Sequence, residues 1–109
     1  MSNSNLLRET LSLLAHYNLT VSDVRWVGNR NPYMTWEKFA DLADNEYNSG
    51  YGAEEVQLSL KVVGDDWWLE RHEYDGSEWW EFKSVPVKPE KKLLSTEEAQ
   101  NAIWMGMPE

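Results

Sequence analysis

The sequence predicts an α+β fold: a three- to four-stranded antiparallel sheet packed on one face by two helices, with a third, short helix near the C-terminal end. Three observations carry this expectation. Apolar residues alternate with polar ones through much of 56–85, two earlier segments repeat apolar residues at helical spacing, and Asp75-Gly76 sits between two aromatic runs as a hairpin turn.

Leu6, Leu7, Leu11, Leu14 and Tyr17 share one face of a helix expected over about 5–17, which capping-type Ser and Asn residues precede. Val24-Arg25-Trp26-Val27 reads as a short strand, about 24–28, closed by the turn Gly28-Asn29-Arg30-Asn31-Pro32. A second helix, about 36–47, takes Thr35 as N-cap. Its apolar stripe is Trp36, Phe39, Ala40, Ala43 and Tyr47. A meander of strands at about 56–63, 66–74 and 77–85 follows. Beyond Pro86 and Pro89, a basic linker from Lys88 to Lys92 leads to the capping box Ser95-Thr96-Glu97-Glu98 and a helix over about 96–105.

Two-residue loops fix strand register. The Asp75-Gly76 turn places Leu69 opposite Phe82, Arg71 opposite Trp80, His72 opposite Trp79 and Glu73 opposite Glu78. A first turn read as Gly64-Asp65 places Val62 opposite Trp67 and Leu60 opposite Leu69. Both turns put Leu69 on the same face, so Val56, Leu58, Leu60, Val62, Trp67, Leu69, Trp80 and Phe82 form the expected core. A one-residue slip would break that agreement.

The 109 residues suit one domain. Hydrophobic residues at 41% and charged residues at 27% are the proportions of a folded chain. The absence of cysteine excludes disulfides and thiolate metal sites. No apolar run approaches the roughly 20 residues of a membrane span. The first residues lack the basic start and apolar stretch of a signal peptide, so a cytoplasmic location is expected. The formal charge of −9 is uneven: residues 37–81 carry thirteen acidic side chains against three basic ones. Such a field repels nucleic acid and anionic membrane and attracts basic proteins.

The face of the sheet opposite the core carries Trp68, Glu70, His72, Tyr74, Trp79, Glu81 and Lys83, with Lys61 alongside. Glu70 lies opposite Glu81, a like-charge pair that weakens a sheet. Aromatics beside carboxylates suit a Lys or Arg from a partner. Cover by one of the helices is the plainer reading of the same residues. On the second helix Glu37, Asp41 and Asp44 form a carboxylate stripe, either a solvated face or an imitation of a phosphate row.

Neither His16 nor His72 has the spacing of a metal pair. Asp44-x-Glu46-x-Asn48 with Glu55 departs from a calcium loop at its glycine, and no activated nucleophile stands near His72. No catalytic residue, cofactor or metal is therefore expected.

The block from Asp66 to Lys83, DWWLERHEYDGSEWWEFK, resembles a stretch of small uncharacterised bacterial proteins of prophages and other mobile elements. The resemblance extends over the central hairpin and the Trp36 to Gly52 segment, about half the chain. No activity is known for those proteins, so no site residue transfers. What the resemblance implies is a setting in which small acidic proteins neutralise another protein.

The expected function is that of a non-catalytic acidic interaction protein acting on a basic protein partner, as an inhibitor or a nucleic-acid mimic. The alternative is a small-ligand module using the Trp68/Trp79 face. Self-association as a homodimer, through that face or a strand edge, is a further expectation.

Overall fold

A computed structural model describes residues 4–29, 32–48, 50, 55–90 and 93–106. Arg30 and Asn31 of the early turn, Glu54 of the acidic region, and Lys91 and Lys92 of the basic linker lie outside the described residues. The order of elements is β1 (Ser4–Asn5), α1 (Leu6–His16), β2 (Trp26–Gly28), α2 (Trp36–Ala43), β3 (Glu46–Tyr47), β4 (Lys61–Val63), β5 (Trp67–Tyr74), β6 (Ser77–Ser84) and α3 (Thr96–Ile103). The α+β class is the expected one. The main sheet is antiparallel with order β2-β4-β5-β6, and β1 pairs with β3 in a small second sheet.

Each helix starts where a side chain can accept an otherwise unpaired backbone N–H. Asn5 accepts from Arg8, Thr35 from Lys38 and Ser95 from Glu98, whose own carboxylate returns the bond to Ser95. Asn18, at φ 60°, turns the chain out of α1, and the Leu19 N–H bonds back to the Leu14 carbonyl. The β5–β6 hairpin has the expected register from Trp67 opposite Ser84 to Tyr74 opposite Ser77. Asp75 and Gly76 both take positive φ, as the tight turn requires.

The core lies between the sheet and the helices α1 and α2. Leu14, Val27, Phe39, Ala43, Val62, Trp67, Leu69 and Trp80 form one buried cluster, with Leu60 and Phe82 packed against it. Thr10 anchors α1 to β6 with a side chain wholly removed from solvent. Its hydroxyl donates to the Leu6 carbonyl at 2.7 Å and accepts from the Trp80 indole at 2.8 Å.

Four expectations need correction. The strand read over 56–63 is confined to Lys61–Val63. Ahead of it, the Glu55 and Val56 N–H groups bond to the Glu78 carboxylate and the Leu60 N–H turns back to the Gln57 carbonyl. Val56 is buried by that bend, whereas Leu58 is exposed and leaves the core. The first hairpin loop is Asp65-Asp66, with Gly64 bonded to Trp67, so Val62 faces Leu69 rather than Trp67. The second helix stops at Ala43 because the chain turns to pair Glu46 and Tyr47 with Asn5 and Ser4; Tyr47 is a buried strand residue. Finally, α3 covers neither face of the sheet. All its residues but the half-buried Ala99 are exposed, as is the stretch from Ser84 to Glu90 leading toward it. The radius of gyration, 18.4 Å, exceeds the roughly 13 Å of a compact chain this long.

Candidate functional site

Because α1 and α2 occupy the core face and α3 stands away, no described element covers the outer face of the sheet. Register arranges it in rows. Trp26, Val63, Trp68 and Lys83 lie side by side, then Gly28, Lys61, Glu70 and Glu81, then His72 and Trp79 where only β5 and β6 continue, and last Tyr74 and Ser77. Alternation alone puts these side chains outward, since their neighbours Val27, Val62, Leu69 and Trp80 are buried. All of the expected sheet residues, Trp68, Glu70, His72, Tyr74, Trp79 and Glu81, are therefore together on one surface. Tyr74 is 76% exposed at its end and the others are half-buried.

The like-charge pair is held by donors from its own face. The Trp68 indole N–H donates to Glu70 at 2.7 Å, and the Trp79 indole N–H donates to Glu81 at 3.0 Å. His72 Nε2 lies 2.7 Å from Glu70 and 3.4 Å from Glu81, bridging the two carboxyls, and Lys83 Nζ is 3.5 Å from Glu81. The Trp68 bond, then the His72 bond, holds Glu70 below the usual carboxylate range. Glu81 is lowered chiefly by the Trp79 bond, with His72 and Lys83 adding to it. Each tryptophan thus has its N–H committed to a carboxylate, and both acids are kept ionised.

This arrangement predicts a pH dependence. A carboxyl whose folded pKa is depressed contributes stability that is present above its unfolded value, about 4.3 for Glu. That contribution is lost as pH falls through the folded value. Urea unfolding of the wild-type chain is therefore expected to lose more stability between about pH 5 and pH 3 than unfolding of a Glu70→Gln/Glu81→Gln variant. Equal losses in the two would show that the indole bonds do not hold the acids down.

The helical stripe does not assemble. Glu37 and Asp41 are exposed on α2, but Asp44 lies past the helix end and accepts a hydrogen bond from Asn5 at 3.0 Å. Two carboxylates on a helix and one drawn to another element do not make a phosphate-like row.

A second polar cluster, not anticipated from the sequence, lies on the core side. The Arg71 side chain is fully buried and its Nη2 donates to the buried Glu78 carboxylate at 2.9 Å and to the Tyr47 hydroxyl at 3.0 Å; Nη1 reaches Glu9 at 3.4 Å. Tyr47 in turn donates to Glu9. The guanidinium also lies over the Trp80 ring, 4.9 Å from its centroid. Burial pushes the Tyr47 hydroxyl up to about 12, with the Glu9 bond adding to it. Burial alone would pull the Arg71 guanidinium down, but the Tyr47 and Glu78 bonds outweigh it and raise the group above its ordinary value. The cluster ties α1, β3, β5 and β6 together. The signal was present in the alternation: Arg71 and Glu78 occupy inward positions beside Leu69 and Trp80.

Among the described residues no cluster of three metal-ligating side chains converges, and no helix is long and apolar enough to cross a membrane. Comparison with protein-family models, with curated proteins and with solved structures finds no match to this chain, so the functional reading rests on its geometry.

Proposed function

We propose that the chain is a non-catalytic interaction protein that receives a Lys- or Arg-bearing surface of another protein on the outer face of its sheet. The observation that supports this is the open row in which Glu70 and Glu81, both held ionised, lie between Trp68 on one side and Trp79 on the other. An incoming guanidinium would meet carboxylate oxygens in the row and indole rings beside it, the two partners that such a cation prefers. Lys61 and Lys83 border the pair and keep the patch itself near neutral. The long-range attraction comes from the acidic region around it, thirteen acids against three basic residues over 37–81. Covering a basic binding site in this way would make the chain an inhibitor of its partner.

The test is capture of partners from a cell lysate at low and moderate salt, with the Trp68→Ala/Trp79→Ala chain as control. A basic protein retained at low salt, and released both by salt and by the double substitution, is the expected result. Retention that ignores both would overturn the proposal.

A further inference from the structure

Among the described residues, the strand order leaves one side of β6 without a neighbour. Tyr74 and Ser77 close the two-residue turn, and the Val85 N–H bonds to the Asp66 carbonyl at 2.8 Å. Between these points, Ser77, Trp79, Glu81 and Lys83 bond inward to β5. Alternation then turns the backbone N–H and C=O of Glu78, Trp80, Phe82 and Ser84 toward the free edge. Below that edge the flank of the core is open too. A groove of about 460 Å³ runs between α1 and β6, lined by Leu13, His16, Tyr17, Trp79 and Trp80 among others. Tyr17 stacks on Phe82, ring centres 3.9 Å apart, yet stays 42% exposed.

We propose that a second copy of this chain pairs its β6 antiparallel to this one, about a two-fold axis at Phe82, joining the two four-stranded sheets into one. The strand is self-complementary in that register. Glu81 falls opposite the partner's Lys83, and Lys83 opposite the partner's Glu81, while Trp79 meets the partner's Val85 on the same face. An axis at Glu81 would set Glu81 against its own copy, and an axis at Lys83 would set lysine against lysine; both oppose like charges. An axis at Trp80 would instead bring Phe82 against the partner's Glu78, whose carboxylate is already taken by Arg71 and the Glu55 and Val56 N–H groups. About Phe82 the outward groups of Trp80, Phe82 and Ser84 make about six intermolecular backbone bonds. Pro86, which has no N–H, ends the ladder. The pairing also closes the groove beside Tyr17. It leaves both outer faces open, so it stands whether or not a basic partner binds there.

The chain has no cysteine, so introduced thiols are the only ones present. Positions 81 and 83 form a non-hydrogen-bonded pair across the proposed axis, where Cα atoms lie about 4.5 Å apart, close enough for a disulfide. Glu81→Cys/Lys83→Cys is expected to run as a covalent dimer on a non-reducing gel after oxidation, and each single variant as a monomer. Sedimentation of the wild-type chain over a concentration series should show a dimer. Ser84→Pro, which removes an outward N–H and none from the internal ladder, should return it to monomer with an unchanged circular dichroism spectrum. A wild-type monomer at every concentration would overturn the proposal. Cross-linking of Glu81→Cys alone as efficiently as of the double variant would overturn the register.

Discussion

Replacing Arg71 with methionine is expected to destabilise the fold by about 3–5 kcal/mol, the usual cost of removing one member of a buried ion pair. That is a large share of the roughly 5–15 kcal/mol that holds a domain together. Both side chains of the Arg71–Glu78 pair are inaccessible to solvent, so Glu78 would be left in the core without its cation. The loss spreads further, because Arg71 also donates to Tyr47 and contacts Glu9. Replacing Glu78 with glutamine removes the charge and keeps an acceptor for one of the Glu55 and Val56 N–H groups, which bond different oxygens of the carboxylate. The Arg71→Met/Glu78→Gln chain should therefore be destabilised by less than the two single losses added together, by at least about 1 kcal/mol. Urea unfolding of the four proteins checks this. Strict additivity would mean that the pair does not act as a unit.

A single methyl group at Gly64 is expected to have the second large effect. A Cβ built there lies 2.1 Å from the Trp67 indole nitrogen and 2.2 Å from the adjoining ring carbon. Gly64 is needed for this close approach, since its φ is not among the positive ones. The Trp67 ring cannot swing away cheaply: it is buried and stacks with Phe82, ring centres 6.0 Å apart. Gly64→Ala should cost near the upper end of the roughly 1–3 kcal/mol typical of overpacking. In a Trp67→Phe background, where the smaller ring leaves room, the same substitution should cost under about 1 kcal/mol. Thermal unfolding of the pair of backgrounds decides; an equal penalty in both would place the strain in the backbone instead.

These two sites show where sequence reasoning reaches and where it stops. Asp75-Gly76 dictated a register that the hairpin follows along its whole length. The first turn was displaced, yet its error in pairing was two residues, and a period of two leaves every side chain on the right face. Gly64 looked like the turn residue, whereas its place in the fold depends on an indole three positions later. Tyr47 continues the apolar stripe of α2 at i+4, so periodicity could not separate it from the helix. Its hydroxyl is drawn instead to Glu9 and Arg71, contacts that only the tertiary structure brings together. Likewise the alternation of 56–60 matched a strand, but the Glu78 carboxylate captures the Glu55 and Val56 N–H groups and bends the chain away from the ladder. Of the candidate site, the sheet residues were legible because strand alternation sorts them. The indole bonds that quiet the Glu70–Glu81 repulsion were not, because they depend on side-chain rotamers.

The central claim is that cations of a partner are received between Trp68 and Trp79. Its most direct measurement is an NMR titration of the tryptophan indole N–H resonances with a short arginine-rich peptide. The Trp68 and Trp79 signals, whose N–H groups donate to Glu70 and Glu81, are expected to shift together and ahead of the other five indoles. The shifts should fade with added salt and be abolished in the Glu70→Gln/Glu81→Gln chain. Shifts centred on other indoles, or unchanged in that chain, would place the binding of basic partners elsewhere on the molecule and contradict the account.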